Sequence, residues 1–119
     1  MSTIKVNNIQ DAGTVDQIQQ GRAKMWINFD ATNSNAIRDK FNVSSITDHF
    51  TGYHQISFAS AMPSGNYSVL CQGSTGNDLS FAAADEDFNA AGSCRVILRT
   101  DRTSNATDFP YVGVVIHGD

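Results

Sequence analysis

The sequence predicts an all-β protein: one antiparallel β-sandwich, jelly-roll-like, preceded by a short N-terminal arm. Three observations point there. Charged residues supply only 17% of the 119 positions, and Asn, Ser, Thr, Gly and Gln stand in their place. Short polar side chains compete for backbone hydrogen bonds and glycine costs entropy, so that exchange disfavours helix. From Arg22 onward, runs of β-forming residues alternate apolar and polar and end in turn chemistry. The runs recur roughly 8 to 15 residues apart, the rhythm of a sandwich. A chain of this length has room for one core. Residues 1–20 therefore read as an attachment or trimerisation arm, and residues 21–119 as the β-sandwich head.

The arm is polar, and Ile4, Val6, Ile9, Val15 and Ile18 are its only sizeable apolar residues. Such a segment cannot bury enough surface to order itself, so these five residues are assigned to docking on a partner surface, either a neighbouring copy or another protein. The first strand is expected over 23–29, ending before the turn-like Thr32-Asn33-Ser34-Asn35. Asn35 can cap a helical turn over 36–40. Strands follow over 41–47 and 52–58, joined by a hairpin loop over 48–52. On the return strand His54, Ile56 and Phe58 share one face by the two-residue period. Met62-Pro63-Ser64-Gly65-Asn66 is a turn, with Pro fixing φ and Gly free to take positive φ.

Further strands are read over 67–73 and 79–82. In Cys94-Arg95-Val96-Ile97-Leu98-Arg99-Thr100 the alternation turns Cys94, Val96 and Leu98 inward and Arg95 and Arg99 to the opposite face. The last strand, 111–117, is nearly continuous in apolar residues and is expected to be covered on both faces. That makes seven strands.

A formal net charge of −4 and a pI near 5.1 argue against nucleic-acid and anionic-membrane partners, both of which need clustered Lys and Arg. The closest basic group is Arg95, Arg99 and Arg102. No apolar run reaches the roughly 20 residues of a membrane span. Met1-Ser2-Thr3-Ile4-Lys5 lacks the apolar core of a signal peptide, so standard secretion is not expected. Cys71 and Cys94 do not make a disulfide framework and are expected as reduced, buried thiols.

No catalytic, metal or cofactor site is assigned. Asp85-Glu86-Asp87 reads as an exposed acidic loop, because adjacent residues on an extended chain diverge and the calcium-loop spacing is absent. His49, His54 and His117 lack the HxH spacing that aims two imidazoles at one ion, so surface or core roles are expected. There is no GxSxG elbow and no glycine-rich phosphate loop. Trp26, beside Ile27 and Phe29, is expected in the core or a subunit interface. His49, Phe50 and Tyr53 sit at a hairpin tip, where an aromatic ring and an imidazole can stack on a sugar or pack on a partner. They form the candidate surface-binding loop.

Several stretches resemble the head module of marine bacteriophage tail fibres, cyanophage fibres especially. They are Ser2-Thr3-Ile4-Lys5-Val6-Asn7-Asn8-Ile9-Gln10, residues 21–29 and 36–48, residues 52–58, Ala61-Met62-Pro63 and Asn66-Tyr67. The resemblance spans about the first 70 residues well and the rest loosely, and the closing apolar strand is also similar to the end of such modules. It implies a virion structural protein, homotrimeric, that mediates attachment to a host surface glycan or protein. Its arm would bind other virion proteins, and the chain would be made in the host cytoplasm. Met1 stands directly before the module, so the long shaft of such fibres is expected to be missing. A capsid or baseplate decoration protein that binds only virion proteins is the alternative, and a glycan hydrolase ranks last.

Overall fold

The computed structural model describes residues 22–76, 80–100 and 106–118. Within them the chain forms β1 (Met25–Asp30), β2 (Ala36–Phe41), β3 (Val43–Phe50), β4 (Tyr53–Phe58), β5 (Ser68–Ser74), β6 (Ser80–Ala84), β7 (Ser93–Thr100) and β8 (Tyr111–His117). A single 3-10 turn, Glu86–Phe88, lies between β6 and β7. The strands make two four-stranded sheets, ordered β2-β1-β8-β5 and β3-β4-β7-β6. Every pairing is antiparallel. The protein is an antiparallel β-sandwich. The arm residues Ile4, Val6, Ile9, Val15 and Ile18 lie outside the described residues.

Alternation builds the core. Met25, Ile27 and Phe29 of β1 and Val112, Val114 and Ile116 of β8 point from one sheet towards Ile56 and Phe58 of β4 and Cys94, Val96 and Leu98 of β7. The inward sets expected on the fourth and seventh strands are the ones observed. A fully buried side chain of this kind stabilises the fold by roughly 1.5–3 kcal/mol. Phe109 joins them by lying against the backbone of Gly73, where a Cβ would come 2.4 Å from its ring. Glycine is required there by that close approach.

Several expectations change. Residues 36–40 form a strand and not a helical turn. Ser34 and Asn35 both take positive φ (50° and 57°), and the reversal they make returns the chain alongside β1. Ladder hydrogen bonds to a neighbouring strand outweigh a local capping preference. The chain thus has eight strands where seven were read. β3 and β4 extend to Phe50 and from Tyr53, so the hairpin loop shrinks to residues 51–52.

β8 is covered on one face only. Val112, Val114 and Ile116 are buried, whereas Gly113 and Val115 are half-buried and Tyr111 is exposed. Its outward residues up to Val115 are largely apolar, although among the described residues no second layer covers them. Trp26 is likewise outside the core, on the outward side of β1. Finally, the acidic triplet is not plain loop: Glu86 and Asp87 open the exposed 3-10 turn.

Both cysteines are free thiols, Cys94 buried and Cys71 half-buried. Burial pushes the Cys94 thiol up to about 12, helped by the neighbouring Cys71, and burial alone pushes Cys71 up to about 11. Neither thiol is nucleophilic near neutral pH. Tyr67 closes the other end of the core. Its hydroxyl donates to the Ala90 or Ser93 carbonyl, each 2.8 Å away, and its ring packs edge-on against Phe58.

Candidate binding surfaces

Each sheet buries one face and turns the other outward, and the two outward faces differ in chemistry. On the β2-β1-β8-β5 sheet, register sets Phe41 beside Trp26, Trp26 beside Val115 and Val115 beside Leu70. This apolar row crosses all four strands in the open: Phe41 is 53% exposed, Trp26 37% and Leu70 62%. The next row is Asp39, Asn28, Gly113 and Gln72. Gly113 has no side chain, so a shallow groove of about 480 Å³ forms between Trp26, Leu70 and Val115 on one side and Asn28 and Gln72 on the other.

Charge on this face is confined to its β2 margin. A bulge opposite Asn28 and Phe29 leaves Arg38 as the extra residue of β2, and bulges re-aim side chains. Arg38 spans the margin, donating to the Asn28 Oδ1 (3.1 Å) and the Pro110 carbonyl (2.6 Å) and stacking on the Tyr111 ring at 4.4 Å. It also pairs with Asp30 at 3.7 Å. The Asp30 carboxyl is held below its ordinary range, first by the Thr32 hydroxyl and further by Arg38.

The outward face of the β3-β4-β7-β6 sheet holds the predicted surface loop. Phe50 is 70% exposed, and its ring meets Tyr53 edge-on with centroids 6.2 Å apart. His49 Nε2 lies 2.9 Å from Gln55 Oε1. The structure therefore brings all three predicted residues to one corner of the sheet. It adds residues to them: Arg99 donates from Nη2 to the Tyr53 hydroxyl at 3.0 Å, and Phe81 of β6 pairs with Arg99. Ile97 lies between Tyr53 and Ala83. One step along β7, Arg95 pairs with Gln55 and lies over the Phe88 ring at 3.6 Å. Its Nε is buried without a hydrogen bond. Neither arginine makes an ion pair among the described residues.

The corner is pinned from behind. His54 is fully buried, with Nε2 3.0 Å from Asp108 Oδ1, and the same oxygen accepts the Gly52 N–H at 2.8 Å. His54 Nδ1 has no hydrogen bond and lies 3.9 Å from Asp48 Oδ1. Gly52 has φ +79°, and a Cβ there would come 2.6 Å from the Leu98 carbonyl oxygen. The hairpin tip is thus a rigid projection of the core. His54 serves as a core histidine tied through Nε2 to the partly exposed Asp108.

His117 is half-buried at the end of β8, far along the chain from both other imidazoles in register. Among the described residues no group of three or more His, Cys, Asp or Glu gathers around a common point. No described helix is long and apolar enough to cross a membrane. No protein-family model, curated protein or solved structure matches the chain.

Proposed function

We propose that this chain is a virion structural protein, the β head of a small phage fibre. It assembles as a homotrimer through the outward face of the β2-β1-β8-β5 sheet and turns the opposite face towards the host surface. The observation that carries this reading is the row Phe41–Trp26–Val115–Leu70, apolar across every strand of one sheet and open to solvent. Contiguous exposed apolar patches mark interaction sites. Interface cores are enriched in aromatic residues and depleted of charge, and here charge is kept to the margin. A head-to-tail contact closes most simply as a ring. The resemblance of residues 2–67 to tail-fibre heads supports a phage particle as the setting, with Ile4, Val6, Ile9, Val15 and Ile18 docking the arm onto a neighbouring virion protein.

The test measures two bindings of the full chain: retention on purified particles, and binding of the fluorescently labelled protein to host cells. Both are expected. Retention without cell binding would make it a decoration protein that contacts only virion neighbours. Absence from particles would overturn the proposal.

A further inference from the structure

Resting on that attachment reading, we infer that the outward face of the β3-β4-β7-β6 sheet binds an acidic polysaccharide, with carboxylates on Arg95 and Arg99 and sugar rings against Phe50, Tyr53 and Phe81.

Charge comes first. The protein is acidic overall, with a net charge of −4, yet the outward positions of these four strands hold no carboxylate. Asp48, the acidic residue of β3, pairs in register with the buried His54 on the opposite face, its half-exposed side chain 3.9 Å from His54 Nδ1. Arg95 and Arg99 remain as the cations of the face; Asp85, just past β6, donates its N–H to the Arg95 carbonyl without an ion pair to the guanidinium, and Glu86 and Asp87 lie off the sheet in the 3-10 turn. A guanidinium presents a planar fork that matches a carboxylate with two parallel hydrogen bonds. Each fork here is already oriented. Arg99 is fixed by the Tyr53 hydroxyl and Arg95 by its stack on Phe88, so little rotamer entropy is left to lose on binding.

Spacing and apolar surface come second. Arg95 and Arg99 are four residues apart on one strand, about 13 Å at the usual rise per residue. Two acidic groups on an extended chain of sugars can reach both. Between them the face is apolar, with Ile97 beneath Tyr53 and Ala83, and Phe50 and Phe81 exposed at either side. The aliphatic faces of sugar rings stack on such aromatics. The Gln55 amide supplies a donor and an acceptor for hydroxyls. An acidic peptide could meet the two cations, but the ring-lined floor between them suits pyranose faces better.

The probes are polygalacturonate, as the carboxylated polysaccharide, and dextran, as the neutral one, each titrated against the full trimeric chain. Polygalacturonate is expected to bind with an affinity that falls as salt rises, and dextran to bind at least tenfold more weakly, on the order expected for loss of a charged hydrogen bond. The double substitution Arg95→Gln with Arg99→Gln should weaken polygalacturonate binding by about tenfold or more while particle retention and subunit mass stay unchanged. Tyr53→Phe frees the Arg99 fork without removing charge and should weaken it less. Equal binding of dextran, or polygalacturonate binding untouched by the double substitution or by salt, would overturn the inference. A protein that binds host cells but not polygalacturonate would overturn it while leaving the attachment reading intact. Should the double variant misfold, the salt dependence of the wild-type chain decides alone.

Discussion

The outward faces of the two sheets are built by the same alternation, from strands of similar length, and they end with opposite characters. On the β2-β1-β8-β5 sheet the outward positions of the two central strands hold Trp26, Asn28, Tyr111, Gly113 and Val115, and edge strands add Phe41 and Leu70. On the β3-β4-β7-β6 sheet the central strands turn Tyr53, Gln55, Ser57, Arg95, Ile97 and Arg99 outward. The first face is flat, apolar and edged with charge. The second mixes aromatic rings with oriented guanidinium groups and is stiffened from behind by His54 and Asp108. Inward positions are fixed by packing and say little about function. Outward positions are free to vary, so what occupies them is where the two halves of this molecule diverge.

If the two faces work independently, substitutions should separate by where the side chain points. A change in the shared core must damage both. Phe29→Ala removes a fully buried ring and should cost about 3–5 kcal/mol, seen as a lower midpoint of chemical unfolding and loss of both assembly and glycan binding. If glycan binding survived such a loss, the binding site would not depend on the sandwich.

Asp108→Ala is more local. It strips the buried His54 Nε2 and the Gly52 N–H of their common acceptor, at a cost of roughly 1–3 kcal/mol for groups left unsatisfied. Hydrogen exchange should rise at Gly52 and its neighbours, and assembly should persist. Leu70→Ser, at a position 62% exposed, should leave the stability of the single subunit within about 0.5 kcal/mol while weakening subunit association. A dissociation constant unchanged by Leu70→Ser would shrink the proposed contact to Trp26 and its β2 neighbours.

The smallest effect concerns pH. The folded Asp30 carboxyl is depressed below the ordinary 3.8. Its contribution is therefore present above that value and lost as pH falls through the lowered one. Thr32→Val removes the largest cause, so the variant should be slightly less stable than wild type at neutral pH, with a flatter acid limb and the two stability–pH curves converging below about pH 4. Because Asp30 lies at the surface, the difference will be slight.

Much of the fold was legible. Clean alternation in 94–99 and 54–58 assigned the inward sets of β7 and β4 because a strand has only two faces. β2 was misread because Asn35 offered a local helix cap, whereas its pairing with β1 was not part of the local pattern. The covering of β8 was misjudged for a related reason: a continuous apolar strand looks the same whether its second face meets a helix, a sheet or another subunit. At the binding corner, His49, Phe50 and Tyr53 were legible as a loop-tip cluster. Arg95 and Arg99 were read, with Arg102, as the closest basic group and placed on the face opposite Cys94, Val96 and Leu98, but were assigned to no site. What could not be read was long-range register, which sets Phe81 next to Arg99 and brings Phe88 under Arg95.

The most direct test of the division between faces is sedimentation velocity on the full wild-type chain and on Trp26→Glu at micromolar concentration. Trp26 stands in the middle of the apolar row, outside the core, so a carboxylate there penalises a subunit contact without opening the sandwich. A wild-type trimer is expected, with Trp26→Glu sedimenting as a monomer that keeps its β circular-dichroism spectrum and its binding to polygalacturonate. A monomeric wild type, or a trimer that survives the substitution, would contradict the account.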